Sequence, residues 1–123
     1  MIVESSEDEA RELVVRSGRM LERVGQGDLV WGHRSARDSA GRGVWIKPGG
    51  LGFDEVTAED VLLLGWDGEV LIGSRSRHVE YPIHTEIMKA RTDVGGIVHT
   101  HPTNAIAFAA TGWPLAPLSH EGC

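Results

Sequence analysis

Gly95-Gly96-Ile97-Val98-His99-Thr100-His101-Pro102 decides how this chain reads: turn glycines, a β-branched pair, two histidines two positions apart, and a closing proline. In a strand alternate side chains face one side, so both imidazoles lie on one face, about 6.5 Å apart along the backbone, where they can grip one metal ion. The pair alone is a weak signal, because six histidines in 123 residues yield about 0.3 such pairs by shuffling. Its surroundings strengthen it: Asp93 and the glycines precede a β-branched strand, and an acid-bearing helix lies just upstream. Metal ligation is favoured here over a pair of surface or hydrogen-bonded histidines.

A chain of this length suits a single domain, residues 1–123, able to bury roughly two-thirds of its unfolded surface. Its one cysteine, Cys123, permits no intrachain disulfide and fits a reducing compartment. Glu4, Glu7, Asp8 and Glu9 occupy the N-terminal region where an export signal carries Lys or Arg, and no apolar run is long enough for a membrane span. A cytoplasmic protein without a membrane partner is expected. The net charge of −6 argues against a nucleic-acid partner, which calls for a concentrated basic face. Arg34, Arg37, Arg42 and Lys47 form a local basic group, read as a solvated loop in preference to an anion-binding surface.

Along the chain, helix and strand alternate. Ser5-Ser6-Glu7-Asp8-Glu9 offers a capped helix start, and Ala10, Leu13, Val14, Met20, Leu21 and Val24 recur near helical spacing until Gly25 and Gly27, predicting a helix over the sheet edge. Leu29-Val30-Trp31 reads as a short strand running into Gly32 to Arg37, with Asp38 to Gly41 turning back into Gly43-Val44-Trp45-Ile46. A glycine-rich loop from Lys47 to Gly52, a helical turn at Thr57 to Asp60, strands at Val61 to Leu64 and Val70 to Ile72, and a helix starting near Glu80-Tyr81-Pro82 and running to about Arg91 follow. The His-x-His strand and a helix from Thr103 to Ala110 complete the order.

These landmarks together resemble the class II aldolase/adducin family. The elements are Gly32-His33-Arg34-Ser35-Ala36-Arg37, Lys47-Pro48-Gly49-Gly50, Ile83-His84 opening a helix, Arg91-Thr92-Asp93-Val94, and Val98-His99-Thr100-His101-Pro102. Each is modest alone; their order and spacing carry the likeness. It implies an α/β fold with three α/β/α layers and a central, mainly antiparallel sheet. It also implies a homo-oligomer, a tetramer with active sites between subunits, and a small-molecule substrate.

Residue by residue, the resemblance places the metal on His99 and His101, with zinc as the first choice of divalent cation and manganese or cobalt as alternatives. The family's acid-base glutamate lies nineteen positions before the first histidine, which lands on Glu80. His84, one turn later, is read as a structural group that hydrogen-bonds Glu80 or sits in the core. The positions matching the family's phosphate loops are Gly32 with His33, Gly49 with Gly50, and His78 with Val79. Backbone amides there can still cradle an anion, but few hydroxyl or carboxamide donors remain, so a carboxylate-bearing or aromatic substrate becomes as well supported as a sugar phosphate. The family's third metal-binding histidine falls on a segment beyond residue 123, as do further strands. His120 is a less favoured substitute ligand; the other reading takes the chain as the N-terminal part of the family domain, with an uncovered sheet edge expected.

Two function classes follow. One is a metal-dependent carbon–carbon lyase, an aldolase or decarboxylase in a family that also holds epimerases and dehydratases, in which a divalent cation stabilises an enediolate and Glu80 moves the proton. The other is a non-catalytic assembly module, as in adducin, or an inactive family member.

Overall fold

Val44-Trp45-Ile46 and Leu62-Leu63-Leu64 are apolar at every position, the mark of strands covered on both faces, and in the computed structural model, which describes residues 6–120, all six are fully buried. Glu4, Ser5 and Cys123 lie outside the described residues. β1 (His33–Arg37), β2 (Gly43–Ile46), β3 (Leu62–Gly65), β4 (Val70–Ile72) and β5 (Gly96–His99) form one antiparallel sheet in the order β4-β3-β2-β1-β5. Residues pointing to opposite faces build two cores. On one, Ala10, Val14 and Val15 of α1 (Glu7–Arg23) cover Ala36, Trp45 and Leu63; on the other, Met88 of α2 (Pro82–Ala90) meets Val44, Ile46, Leu62 and Leu64. The result is the three-layer α/β/α arrangement with an antiparallel sheet.

The Ser6 hydroxyl accepts from the Glu9 amide while the Glu9 carboxylate accepts from the Ser6 amide, closing a capping box at the start of α1. The buried face of α1 keeps Ala10 and Val14 of the expected set but turns to include Val15 and Gly18, and Leu13, Met20 and Val24 are exposed. The helix covers the face of β1 and β2, not the sheet edge. Gly18 is required because the Arg34 guanidinium passes where its Cβ would stand.

Leu29-Val30-Trp31 is a turn and not a strand. The Trp31 amide donates to the Asp28 carbonyl at 2.9 Å, and Leu29 has a φ of 49°. β1 therefore starts only at His33. The basic group is also different from the solvated loop expected, because each cation has found backbone carbonyls or carboxylates to satisfy. Arg34, fully buried, donates to Val14 O, Val15 O and Ser17 Oγ of α1. Buried Lys47 donates to the carbonyls of Val30, Pro48 and Leu51, and burial pushes its ammonium down to about 8. Arg37 holds the last carbonyls of α2 and the turn after it, Met88 O, Arg91 O and Val94 O, within 2.9 Å. Arg42 pairs with Asp38 and Glu7.

β5 is an edge strand paired only with β1, and α3 (Thr103–Ala110) buries none of its residues. Val98, Ile106, Phe108, Trp113 and Leu115 are exposed, leaving uncovered apolar surface on β5 and the chain after it. No helix among the described residues is long and apolar enough to cross a membrane.

Candidate metal centre

The antiparallel register of β1 and β5 makes His33 and His99 direct cross-strand partners, and their rings stack at 4.5 Å between centroids with planes 6° apart. His101 lies two residues past the partner of His33, just beyond the end of β5, and its Nε2 comes within 2.9 Å of His99 Nε2. Two imidazole tips so close require either one shared proton or one shared ion. Zinc–nitrogen bonds of about 2.0–2.1 Å in a tetrahedral site put neighbouring ligand atoms about 3.3 Å apart, so the observed spacing needs only a small opening.

Glu80 occupies the turn before α2, which starts at Pro82, within the expected Glu80-Tyr81-Pro82. Its Oε2 lies 3.0 Å from His33 Nε2. Ligand atoms of His33, Glu80 and His99 all fall within 4.8 Å of one another, making them a group able to share an ion. His120 is exposed and lies outside that group.

Behind Glu80 runs a buried chain of hydrogen bonds: His33 Nδ1 to His84 Nε2 at 2.6 Å, and His84 Nδ1 to Ser35 Oγ at 2.6 Å. Burial pushes His33 down to about 4 and His84 down to about 3, so both rings are neutral at ordinary pH. The hydrogen bond from His33 holds the Glu80 carboxyl below its usual range, and it is ionised. Only one direction then satisfies every atom: Ser35 O–H donates to His84, His84 Nε2–H to His33, and His33 Nε2–H to Glu80. His33 thus spends its proton on Glu80 and its lone pair on His84. Of the group that includes Glu80, His99 keeps an atom able to face a cation, and His101 Nε2 stands beside it.

Neutral burial of His33 and His84 carries a stability cost in acid. Their ordinary value is 6.5 and their folded values are about 4 and about 3, so between these limits the unfolded chain binds more protons. Stability is full above pH 6.5 and falls as pH drops toward 3. The melting temperature of the metal-free protein is expected to decline across that window and to decline less steeply in His84→Gln; a flat profile would contradict the buried, neutral assignment.

The expected substrate loops meet around one cavity. Gly49, Gly50 and His78 share a cavity of about 260 Å³ with Trp31, Arg77 and Val79. Gly50 has a φ of 79°, which favours glycine, and the Gly49 amide is already committed to Ser76 O at 3.0 Å. The His78 ring lies 4.4 Å from that of His33, and its Nδ1 accepts from the Glu80 amide at 3.2 Å, which links this cavity to the histidine cluster. At Gly32, between Trp31 and His33, a Cβ would stand 2.6 Å from the Phe53 ring. Its glycine permits packing.

Two residues of the α1–β1 loop that the sequence did not single out also reach the centre. Asp28 Oδ2 lies 2.9 Å from His101 Nδ1, and Thr100 Oγ1 donates to Gln26 Oε1 at 3.1 Å. Both contacts span more than 70 residues of chain, so no local pattern announces them.

Residues 12–123 match the model of the family described as class II aldolase and adducin N-terminal domain. Among solved structures, the chain is similar to L-fuculose 1-phosphate aldolase from Glaciozyma antarctica PI12, at 32% identity over 95% of this chain and 49% of that one, with a TM-score of 0.84. An aldolase II superfamily protein from Pseudomonas syringae gives 29% identity, 98% and 50% coverage, and a TM-score of 0.83. L-fuculose-1-phosphate aldolase from Thermus thermophilus gives 27%, 92% and 57%, and 0.73. The chain spans about half the length of the structures it matches.

Proposed function

The chain belongs to the class II aldolase and adducin family, and from that premise we propose that it is a divalent-metal-dependent carbon–carbon lyase of the aldolase or decarboxylase type. The observation that carries this reading is the cluster at one end of the sheet, where ligand atoms of His33, ionised Glu80 and His99 lie within 4.8 Å of one another and His101 Nε2 stands 2.9 Å from His99 Nε2. A divalent cation, zinc first among candidates, supplies a Lewis acid that draws electron density from a substrate carbonyl and its neighbouring oxygen. The chain's residues do the rest. His99 and His101 hold the cation, and Glu80 takes or returns the proton at the substrate carbon. The proton donated from His33 Nε2 keeps Glu80 aimed and ionised between turnovers.

We place the far end of the substrate in the cavity at Gly49, Gly50 and His78. Lys47, Arg34 and Arg37, beside these loops in sequence, are tied to backbone carbonyls, and the Gly49 amide is spent on Ser76. That supports a small hydroxy-carbonyl or hydroxy-acid substrate ending in a carboxylate or neutral group rather than a phosphate. Competition on the zinc-loaded protein between a phosphorylated ketose analogue and a hydroxylated aromatic acid tests the choice. The acid is expected to win; a sugar phosphate tighter by more than about tenfold, or about 1.4 kcal/mol, would reverse it. Chelation is expected to stop turnover and added zinc to restore it.

A second reading, an adducin-like assembly module without chemistry, draws on the uncovered apolar surface of β5 and α3. It requires that the protein neither hold a cation nor cleave any hydroxy-carbonyl compound.

A further inference from the structure

Metal-ligating histidines are oriented by whatever accepts the proton on their second nitrogen, and a carboxylate in that place fixes the ring, selects its tautomer and raises its basicity. His101 has such a partner. Its Nδ1 lies 2.9 Å from Asp28 Oδ2, with the imidazole partly buried. A carboxylate only accepts, so Nδ1 carries the proton, and Nε2 is left as a bare lone pair aimed at His99 Nε2, 2.9 Å away. His99 and His101 meet nearly edge to face, at 86°, an arrangement that points two ring nitrogens at one place without stacking the rings.

The segment carrying Asp28 is built to hold this aim. Gly25 takes a φ of 72° at the end of α1, the Trp31 amide closes a turn on Asp28 O at 2.9 Å, and Leu29 is the one non-glycine among the described residues with a positive φ, 49°. A leucine in that conformation is strained, its Cβ crowding the following carbonyl, and here its side chain is exposed and gains no burial in return. Next to Asp28, Gln26 Oε1 accepts from Thr100 Oγ1 at 3.1 Å. The loop therefore takes hold of two consecutive residues, Thr100 and His101, just beyond β5, where the sheet no longer does.

We infer that Asp28 is the positioning residue of the metal centre: it sets His101 as the Nδ1-protonated tautomer and presents the Nε2 lone pair beside His99. The role rests on the metal reading of His99 and His101 proposed above. Asp28 itself touches neither substrate nor cation.

The test uses the full chain and zinc ion alone, competed against a chelating dye. Asp28→Ala is expected to weaken zinc binding 10–100-fold. Asp28→Asn keeps an oxygen that accepts from Nδ1–H but loses the charge, so its loss is smaller than that of the Ala variant. Nitrogen-15 NMR of the metal-free protein reads the tautomer directly: His101 is protonated on Nδ1 in the wild type and shifts toward Nε2–H in Asp28→Ala. Equal zinc affinity in wild type and Asp28→Ala, or a wild-type His101 protonated on Nε2, overturns the inference. A wild-type chain that binds no zinc overturns the metal reading and this role with it. That outcome is distinct from the one in which both proteins bind zinc equally.

Discussion

Replacing either His99 or His101 with Ala is expected to strip the protein of its divalent metal. The two nitrogens stand 2.9 Å apart, and removing one leaves a single imidazole and Glu80, a pair that seldom retains zinc through purification. The loss of affinity should be at least about 100-fold, beyond the 10–100-fold range that follows loss of an outer partner such as Asp28. Metal analysis of each variant after gel filtration measures it. Neither ring belongs to the apolar cores of the sheet, so the metal-free melting temperature should change little. Unchanged metal content in both variants would remove His99 and His101 from the site.

Glu80→Gln is expected to lower turnover by at least about 100-fold, or about 2.7 kcal/mol of transition-state stabilisation, when measured at saturating zinc and substrate so that metal occupancy does not set the rate. The substitution is informative because of what it preserves. Its amide oxygen accepts from His33 Nε2–H as the carboxylate did, so the chain from Ser35 through His84 and His33 keeps its direction. What is lost is the carboxylate's charge and its ability to take a proton, and saturating zinc isolates the second. Turnover within a few-fold of wild type would show that another group carries the proton.

The fold was legible where a periodic pattern meets a covered surface. Unbroken apolar runs at Val44 to Ile46 and Leu62 to Leu64 foretell strands buried on two faces, and α3 has the bounds its composition foretells. Reading failed where long-range contacts override local character. Arg34 and Lys47 look like loop cations in sequence, yet carbonyls from α1 and the glycine loop take them inside. Leu29 to Trp31 look like strand residues, but a turn closing on Asp28 claims them. At the centre, a short motif and a spacing point to His99, His101 and Glu80; Glu80 lies in one group with His33 and His99, and His101 reaches that group through His99. His33 was expected to face the substrate; here it lies buried as the hydrogen-bond donor to Glu80. Asp28 reaches His101 only through the folded chain, and no pattern within a few residues of either encodes the contact.

Every other pairing in the sheet joins strands adjacent in sequence, and each can zip up soon after its turn forms. β5 alone returns from beyond α2 to lie against β1, across about half the chain. Loop closure over such a span comes late, because its entropic cost must be met before its contacts reward it. On loop-closure grounds the pairing that sets His99 against His33 is expected to be the last part of the sheet to form. A chain with β1 to β4 in place and β5 still loose already holds its Val44, Ile46 and Leu62 to Leu64 core, yet has no place for a cation. Any cation that seats there binds the finished register, His33 opposite His99, and stabilises that strand order over every slipped one.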